Sequence, residues 1–266
     1  MTSRRLDFTE RYGPWAVVAG ASEGLGRAFA TELARRGINV ILVARKEAML
    51  LQTATQLREA HGVETVVLAL DMGVPDAIER LADSVADREV GFVVANAAYV
   101  PIGKFGEVAP ADLDQAIAVN CRSTLQLARH FLPPMAARGR GGMVVMASMA
   151  GLQGTPMLAT YAATKAFDLV LAEGLWEEFG AHGVHVIGSA AGAIADPNLA
   201  KVKTKRAPGT LSPEAVVSET FAALGRGPRV VPGRTNKVAS VLMSRLLPRR
   251  AAVRIMAKNT KDLRTG

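Results

Sequence analysis

Cysteine and aromatic residues are scarce in this chain of 266 residues, and long hydrophobic runs are absent. Cys121 is the only cysteine, which excludes an intrachain disulfide and a metal site built on several thiolates, and is typical of a reducing compartment. No stretch of about 18 apolar residues occurs, so the sequence predicts no transmembrane helix. Residues 1–8 lack the apolar segment of a secretion signal. These absences predict a cytoplasmic protein.

Acidic residues are a minority, and the formal net charge is +8. Residues 237–266 contain eight Lys or Arg and one Asp, a net charge of +7, so the rest of the chain carries only +1. This basic C-terminal segment lacks the interleaved aromatic residues and the recognition motif of nucleic-acid-binding proteins. The four histidines show no metal-ligand spacing. We therefore expect neither a nucleic-acid partner nor a metal.

Short apolar runs alternate with helical patterns along most of the chain. Runs that are apolar on both faces predict strands of a parallel sheet covered by helices on both sides. The alternation predicts one Rossmann-type, doubly wound α/β domain of about seven strands over residues 1–236, with a basic amphipathic helical tail over 237–266. The predicted strands span residues 15–19, 38–44, 65–70, 91–95, 143–147, 184–189 and 230–231.

A turn of small residues follows the first predicted strand and reads Gly20-Ala21-Ser22-Glu23-Gly24-Leu25-Gly26. Glycines at this spacing let the backbone turn tightly and approach a pyrophosphate at the N-terminus of the next helix. The turn thus indicates a dinucleotide site. The alternative is a strand-to-helix turn that binds no ligand.

The choice of dinucleotide depends on the residues that follow the second strand. Arg45 and Lys46 stand there, with no carboxylate before Glu47. A carboxylate would hold the ribose hydroxyls of NAD, whereas Arg45 suits the 2′-phosphate of NADP. Glu23 argues against this choice because it would repel a nearby phosphate. The pattern favours NADP(H) and leaves NAD(H) open.

The catalytic candidates lie farther along the chain. Tyr161 and Lys165 are four residues apart in a long helical pattern, which places them on one helix face. A tyrosine ordinarily has a pKa near 10, and a neighbouring ammonium lowers it toward the range useful for proton transfer. Ser148 ends the fifth predicted strand, where its hydroxyl can bind a carbonyl oxygen. Asn120 lies in an earlier helical stretch.

Together these features resemble the short-chain dehydrogenase/reductase family over about residues 14–235. Ser148 precedes Tyr161 by thirteen residues, within the family's usual spacing. Glu23 in the glycine turn and Arg45 are similar to the branch of 17β-hydroxysteroid dehydrogenases and long-chain 3-oxoacyl reductases, which commonly use NADPH. The matching elements, in the family's order, are the Gly20/Gly24/Gly26 turn, Asp71, Asn96-Ala97, Asn120, Ser148, Tyr161 and Lys165.

The resemblance implies a role for each catalytic candidate. Tyr161 is expected to be the general acid in reduction and the base in oxidation. Lys165 is expected to assist it and to hold the nicotinamide ribose. Ser148 is expected to orient the carbonyl oxygen, and Asn120 to bind a relay water. The expected cofactor contacts are Gly20, Ser22, Glu23, Gly24, Leu25, Gly26, Arg45, Asp71, Met72, Asn96, Ala97, Tyr161, Lys165, Gly192 and Ile194.

Three segments depart from the family's pattern. Its Thr-Gly opening is Ala19-Gly20 here, and its Asn-Asn-Ala-Gly motif is Ala95-Asn96-Ala97-Ala98. Its Pro-Gly segment is Ala191-Gly192, followed by Ile194 and Asp196 where threonines often contact the nicotinamide. These changes affect how the cofactor is held rather than how the proton moves.

The expected function is the interconversion of a carbonyl and a secondary alcohol on an apolar small-molecule substrate, with a 3-oxoacyl or steroid-like ketone as examples. A substrate loop is expected at about residues 193–211. An NAD-dependent alcohol dehydrogenase and a non-catalytic dinucleotide-binding regulator are the alternatives. The family resemblance implies a homodimer or homotetramer. In the tail, apolar and basic residues interleave, which fits peripheral contact with an anionic membrane or a helix packed on the body or on a partner subunit.

Overall fold

The computed structural model describes residues 6–195, 208–261 and 263. Its sheet has seven parallel strands in the order β3-β2-β1-β4-β5-β6-β7. The apolar runs predict all seven, with ends that differ from the observed ones by at most two residues. The strands are β1 Trp15–Ala19, β2 Asn39–Ala44, β3 Thr65–Ala69, β4 Val90–Ala95, β5 Gly141–Ser148, β6 Val184–Ala191 and β7 Arg229–Val230.

Helices cover both faces of this sheet, as the doubly wound prediction requires. The helices are α1 Phe8–Tyr12, α2 Gly24–Arg35, α3 Glu47–His61, α4 Ala77–Ser84, α5 Pro110–Ala116, α6 Ser123–Arg138, α7 Ala159–Gly180, α8 Pro213–Ala223, α9 Arg234–Val241 and α10 Arg249–Thr260. Buried side chains of α2, α3 and α8 pack on one face, and those of α4, α6 and α7 on the other. The order predicted from hydrophobic periodicity is therefore confirmed.

The strand order places a crevice beside β1. The chain leaves β1 toward β2 on one side, while β4 lies on the other side, with Ala19 paired to Ala95 at the carboxyl ends. Connections that diverge in this way open a gap above the strand ends, where open α/β sheets bind their ligands. The glycine turn after β1 and Asn96 after β4 both reach this gap.

The tail is helical and begins earlier than residue 237. Helix α9 starts at Arg234 and continues across the predicted boundary. Asn236 is buried, and its amide nitrogen donates to the main-chain oxygens of Gly209 and Pro232, each at 3.0 Å. Thr260 at the end of α10 donates to the main-chain oxygen of Pro156 at 2.8 Å. The tail is therefore fastened to the body at both ends.

Candidate active site at the carboxyl end of the sheet

The glycine turn brings two backbone segments into contact. Gly20 has φ +80°, and a Cβ atom there would lie 2.9 Å from the backbone of Ala97. A Cβ atom on Gly26 would lie 1.8 Å from the main-chain oxygen of Gly20. Asn96 donates from its side-chain nitrogen to that same oxygen at 3.1 Å. Asn96 therefore holds the turn in shape, a task that the sequence did not reveal.

Gly24 differs from the other two glycines of the turn. A Cβ atom on Gly24 would meet no atom within 4 Å, so its backbone borders open space at the first residue of α2. The side chain of Glu23, the N-cap residue, makes no capping hydrogen bond to this helix end. Unpaired N–H groups at a helix N-terminus bind anions, so a pyrophosphate fits here.

The first cavity, of about 280 Å³, lies over this turn and is called the adenine-end cavity below. It gathers most of the residues expected to contact the dinucleotide. Asp71 accepts a hydrogen bond from the main-chain nitrogen of Gly73 at 2.8 Å, which fixes its carboxylate at the cavity wall. The residues that line the adenine-end cavity are Gly20, Ser22, Glu23, Ala44, Arg45, Lys46, Leu70, Asp71, Met72, Asn96, Ala97, Ala98, Tyr99 and Val119.

Three charged side chains stand at the mouth of the adenine-end cavity. Lys46 forms an ion pair with Glu23 at 3.0 Å, and both side chains are more than half exposed. Within residues 6–195 and 208–261, no carboxylate pairs with Arg45. Lys46 therefore offsets the repulsion expected of Glu23, and Arg45 is left to meet an anion.

A second cavity, of about 150 Å³, adjoins the first and is called the catalytic cavity below. It is lined by the predicted catalytic residues Ser148, Tyr161 and Lys165, and by Leu25, Gly192 and Ile194 of the expected cofactor contacts. Asn96 lines both cavities and joins them. The remaining lining residues are Ala98, Met146, Ala147 and Ala191.

Ser148 ends β5 and begins a short 3-10 turn, Met149–Leu152. Its hydroxyl oxygen accepts a hydrogen bond from the main-chain nitrogen of Ala150 at 3.2 Å. Because the oxygen acts there as an acceptor, its proton is left to donate to another group. A carbonyl oxygen in the catalytic cavity would be such a group.

Lys165 is only 3% exposed, and its ammonium makes two contacts. It donates to the main-chain oxygen of Met146 at 2.6 Å and to the carboxylate of Asp168 at 2.9 Å. The nitrogen lies 5.9 Å from the centre of the Tyr161 ring. An ammonium has three protons, so one stays available for a group in the cavity.

Asn120 is fully buried and lies outside both cavities, in the π-helical segment Ile117–Arg122 between α5 and α6. Its side chain clamps two other segments together. The oxygen accepts from the main-chain nitrogen of Tyr99 at 2.7 Å, and the nitrogen donates to the main-chain oxygen of Tyr99 and the hydroxyl of Thr164. The side chain is thus occupied, and any relay water would need its main-chain oxygen, which already accepts from Thr124.

The structure describes both ends of the segment that the sequence predicts to be the substrate loop. Ile194 and Leu211 form a parallel bridge that ties the stems together. Residues 196–207, including the basic segment Pro197–Arg206 and Asp196, lie outside the described residues. Met157, on the loop between Ser148 and Tyr161, has φ +66°, a conformation that a methionine rarely adopts. Residues held in such sparsely populated backbone conformations cluster at functional sites.

Sequence reasoning missed three residues that shape the site: Lys46 as the partner of Glu23, Thr164 as the partner of Asn120, and Asp168. A signal for Asp168 was present, because it is a lone carboxylate in the apolar run Ala166–Leu171, three residues after Lys165. Lys46 and Thr164 gave no signal, since their partners are distant in sequence.

Most of the chain is similar in sequence to known proteins. The family model for short chain dehydrogenases matches residues 14–207. The chain is 34% identical over 235 residues to the 7beta-hydroxysteroid dehydrogenase of Clostridium sardiniense, which covers 87% of this chain and 90% of that protein. It is 39% identical over 180 residues to the very-long-chain 3-oxoacyl-CoA reductase of Podospora anserina, about half of that protein's length.

Structural similarity extends farther than sequence similarity. A solved structure from work on the stereoselectivity of 7beta-hydroxysteroid dehydrogenase superposes with a TM-score of 0.90 at 30% identity, over 95% of this chain and all of the other. The expected branch of steroid and 3-oxoacyl reductases is thereby confirmed. The chain belongs to the short-chain dehydrogenase family and is a dinucleotide-dependent oxidoreductase that interconverts carbonyl and alcohol groups.

Proposed function

We propose that this enzyme uses NADP(H) to interconvert a ketone and a secondary alcohol on a bulky apolar substrate, with proton transfer through Tyr161. One observation carries the proposal. Ser148, Tyr161 and Lys165 share the catalytic cavity, and Asn96 joins that cavity to the adenine-end cavity above the glycine turn. A dinucleotide that spans both cavities would bring its reactive end to these three side chains.

The three side chains divide the chemistry. When bound, the nicotinamide supplies or accepts the hydride. Ser148 donates its free hydroxyl proton to the substrate oxygen and orients it. Tyr161 gives its phenolic proton to that oxygen in reduction and takes it back in oxidation. Lys165 favours the charged phenolate electrostatically and offers its third proton to a cofactor hydroxyl.

The choice of NADP(H) follows from the charges at the adenine-end cavity. No carboxylate of the described residues pairs with the Arg45 guanidinium, and its planar fork suits a phosphate group. Glu23 is offset by Lys46, so the three groups together carry one positive charge. An NAD-specific site would instead present a carboxylate to the ribose hydroxyls.

An apolar substrate suits the walls of the catalytic cavity. Leu25, Met146 and Ile194 line it, and Met157 and Leu158 lie on the adjoining loop. The relative from Clostridium sardiniense is named for a hydroxysteroid, and we extend that substrate class to this chain.

A substrate screen tests the proposal directly. Steroid ketones, steroid alcohols and 3-oxoacyl thioesters are each assayed with NADPH, NADH and their oxidised forms, by absorbance of the reduced nicotinamide. We expect turnover of a steroid with the phosphorylated cofactor. Turnover only with NAD(H) would reject the cofactor choice, and dinucleotide binding without turnover of any substrate would favour a regulatory protein.

We also propose that the enzyme is a homo-oligomer. Ile117 and Leu125 lie exposed near the start of α6, and Phe167 and Val170 lie exposed on α7. Exposed large apolar side chains on adjacent helices mark protein interfaces. Light scattering on the purified chain tests this, since Val170→Glu should lower the measured mass of an oligomer that uses α7. A monomeric wild-type chain would reject the proposal.

Peripheral membrane contact through the tail is a further part of the proposal. Val238, Val241, Leu242 and Leu246 form an exposed apolar stripe, and residues 234–261 contain no acidic side chain. Apolar and cationic groups in this arrangement suit an anionic lipid surface. We expect the protein to sediment with anionic liposomes and the Leu242→Glu/Leu246→Glu variant to stay in the supernatant. Equal distribution of the two would reject membrane contact.

A further inference from the structure

A buried carboxylate faces the proposed catalytic lysine. Asp168 lies on α7 one turn after Lys165, and its side chain is 1% exposed. Its Oδ2 lies 2.9 Å from Nζ of Lys165, whose other contact is the main-chain oxygen of Met146 on β5. The ammonium is therefore enclosed between a strand and a carboxylate of its own helix.

We propose that Asp168 is a positioning residue that keeps the ammonium of Lys165 charged and held against β5 in the wall of the catalytic cavity. The proposal rests on the proposed function, in which Lys165 assists Tyr161. An isolated ammonium is costly to bury, and a buried charge persists only where a counter-charge and hydrogen bonds replace the lost water. Among the described residues, Asp168 is the carboxylate that pairs with Lys165.

The surroundings of Asp168 show how much this pair depends on each partner. Burial raises the pKa of the Asp168 carboxyl, and the Lys165 ammonium offsets part of that rise. The hydroxyl of Thr124 faces the same carboxyl, but its proton goes to the main-chain oxygen of Asn120 at 2.8 Å. Within the described part of the chain, Oδ1 of Asp168 has no hydrogen-bond partner. The carboxylate is thus stabilised chiefly by Lys165, and the ammonium by the carboxylate.

Two ionisable groups near the pair in the described part of the chain, Cys121 and Tyr161, do not supply this counter-charge. Cys121, on the π-helical segment, lies close enough for the Asp168 charge to contribute to its pKa, but burial is the main cause that raises that pKa to about 11. The thiol is therefore neutral across the range in which the enzyme would be assayed. Tyr161 is itself the group on which Lys165 acts.

The expected consequence is a change in the pH dependence of the enzyme. Without the carboxylate, the enclosed ammonium loses its proton more readily, so deprotonation of Lys165 moves to lower pH. In a variant without the carboxylate, the activity and the folding stability that depend on the charged lysine are therefore present at low pH and are lost as the pH rises. In the wild-type enzyme the Asp168 carboxylate, 2.9 Å from the ammonium, opposes this loss.

The experiment compares the full-length wild-type protein with Asp168→Asn, which keeps the shape and an acceptor oxygen but removes the charge. The first readout is the NMR shift of the lysine ε-carbon in isotope-labelled protein without cofactor, assigned by its absence in Lys165→Met. We expect the titration of Lys165 to move down by about one pH unit or more, equivalent to about 1.4 kcal/mol per unit.

The second readout is kcat/KM against pH in the oxidation direction. We expect Asp168→Asn to acquire an alkaline limb that wild type lacks, with kcat/KM falling about tenfold per pH unit beyond the new midpoint. Asp168→Glu should restore much of the wild-type profile. Glu173→Gln is the matched control, because it removes a carboxylate of the same helix whose partner, Arg229 at 3.2 Å, is exposed.

Two results would overturn the proposal. One is an unchanged Lys165 titration in Asp168→Asn, and the other is an equal alkaline limb in Glu173→Gln. The NMR titration needs neither substrate nor cofactor, so it tests the role of Asp168 independently of the proposed function. A fully active Lys165→Met variant would instead contradict the proposed function. If Asp168→Asn does not fold, Asp168→Ser supplies the same titration without the carboxylate, and an unshifted Lys165 there counts equally against the proposal.

Discussion

The two ends of the candidate site handle charge in opposite ways. At the adenine end, Arg45, Lys46 and Glu23 stand at an open surface, and the Lys46–Glu23 pair has both side chains more than half exposed. At the catalytic end, Lys165 and Asp168 form a pair with side chains 4% and 1% exposed. Water screens the first set and is excluded from the second.

This difference separates two tasks. Exposed pairs contribute roughly 0–1 kcal/mol each, so the adenine end suits graded selection between similar dinucleotides. A buried charge interacts in a medium of low dielectric, so a small displacement of Lys165 has a large effect on its neighbours. We therefore expect substitutions at the catalytic end to affect turnover strongly and those at the adenine end to affect affinity moderately.

The largest expected effect is that of Tyr161→Phe. Loss of the phenolic proton should lower kcat by about 10²–10⁴-fold, the usual contribution of a general acid or base, while cofactor affinity changes little. Steady-state kinetics and fluorescence titration with NADPH measure the two quantities. Tyr12→Phe is the control, because its hydroxyl contacts His185 Nδ1 at 2.6 Å, away from both cavities. A Tyr161→Phe variant with wild-type kcat would contradict the assignment.

The second largest effect is expected for Gly26→Ala, in the glycine turn between the two ends of the site. Its new Cβ atom would lie 1.8 Å from the Gly20 oxygen, so the backbone must shift. We expect NADPH affinity to fall at least tenfold and stability by about 2–3 kcal/mol, as for overpacked sites. Gly24→Ala, where a Cβ atom meets nothing within 4 Å, carries only the strain of φ +55°. Equal losses in both variants, measured by calorimetry and thermal unfolding, would contradict the close-approach argument.

Arg45→Ala should have a moderate and selective effect. Loss of a charge-assisted contact to the 2′-phosphate should weaken NADPH binding by about 10–100-fold and leave NADH binding nearly unchanged. Arg35→Ala, on α2 and paired with Glu32, is the matched control. Binding constants for both cofactors decide the matter, and a parallel loss for NADPH and NADH would remove the basis for the NADP(H) proposal.

The smallest expected effect is that of Glu23→Gln. Removal of an exposed carboxylate frees Lys46 and should strengthen NADPH binding by about two- to fivefold, in line with the low energy of exposed pairs. High salt should reduce the difference because it screens exposed charges. Titrations at low and high salt measure this, and weaker binding in the variant would show that Glu23 itself holds the cofactor.

Much of the site could be predicted from sequence because its elements are local patterns. The glycine turn and the Tyr161/Lys165 spacing each lie within seven residues, and the apolar runs marked all seven strands. Buried strands that carry apolar residues on both faces leave few alternatives to a parallel sheet. That the side-chain amide of Asn120 is fully engaged in hydrogen bonds could not be predicted in this way, since its partners Tyr99 and Thr164 lie 21 and 44 residues away.

The sequence by itself therefore determined the order of strands and helices along the chain, the position of the glycine turn and the candidates for proton transfer. Only the tertiary structure decided which charges are exposed and which are enclosed. Asp168 is three residues from Lys165 in any helix, but its effect depends on burial between α7 and β5, which sequence spacing does not encode. Dielectric environment is a property of the folded molecule. It distinguishes the Lys165–Asp168 pair, at 2.9 Å, from the exposed Lys46–Glu23 pair, at 3.0 Å.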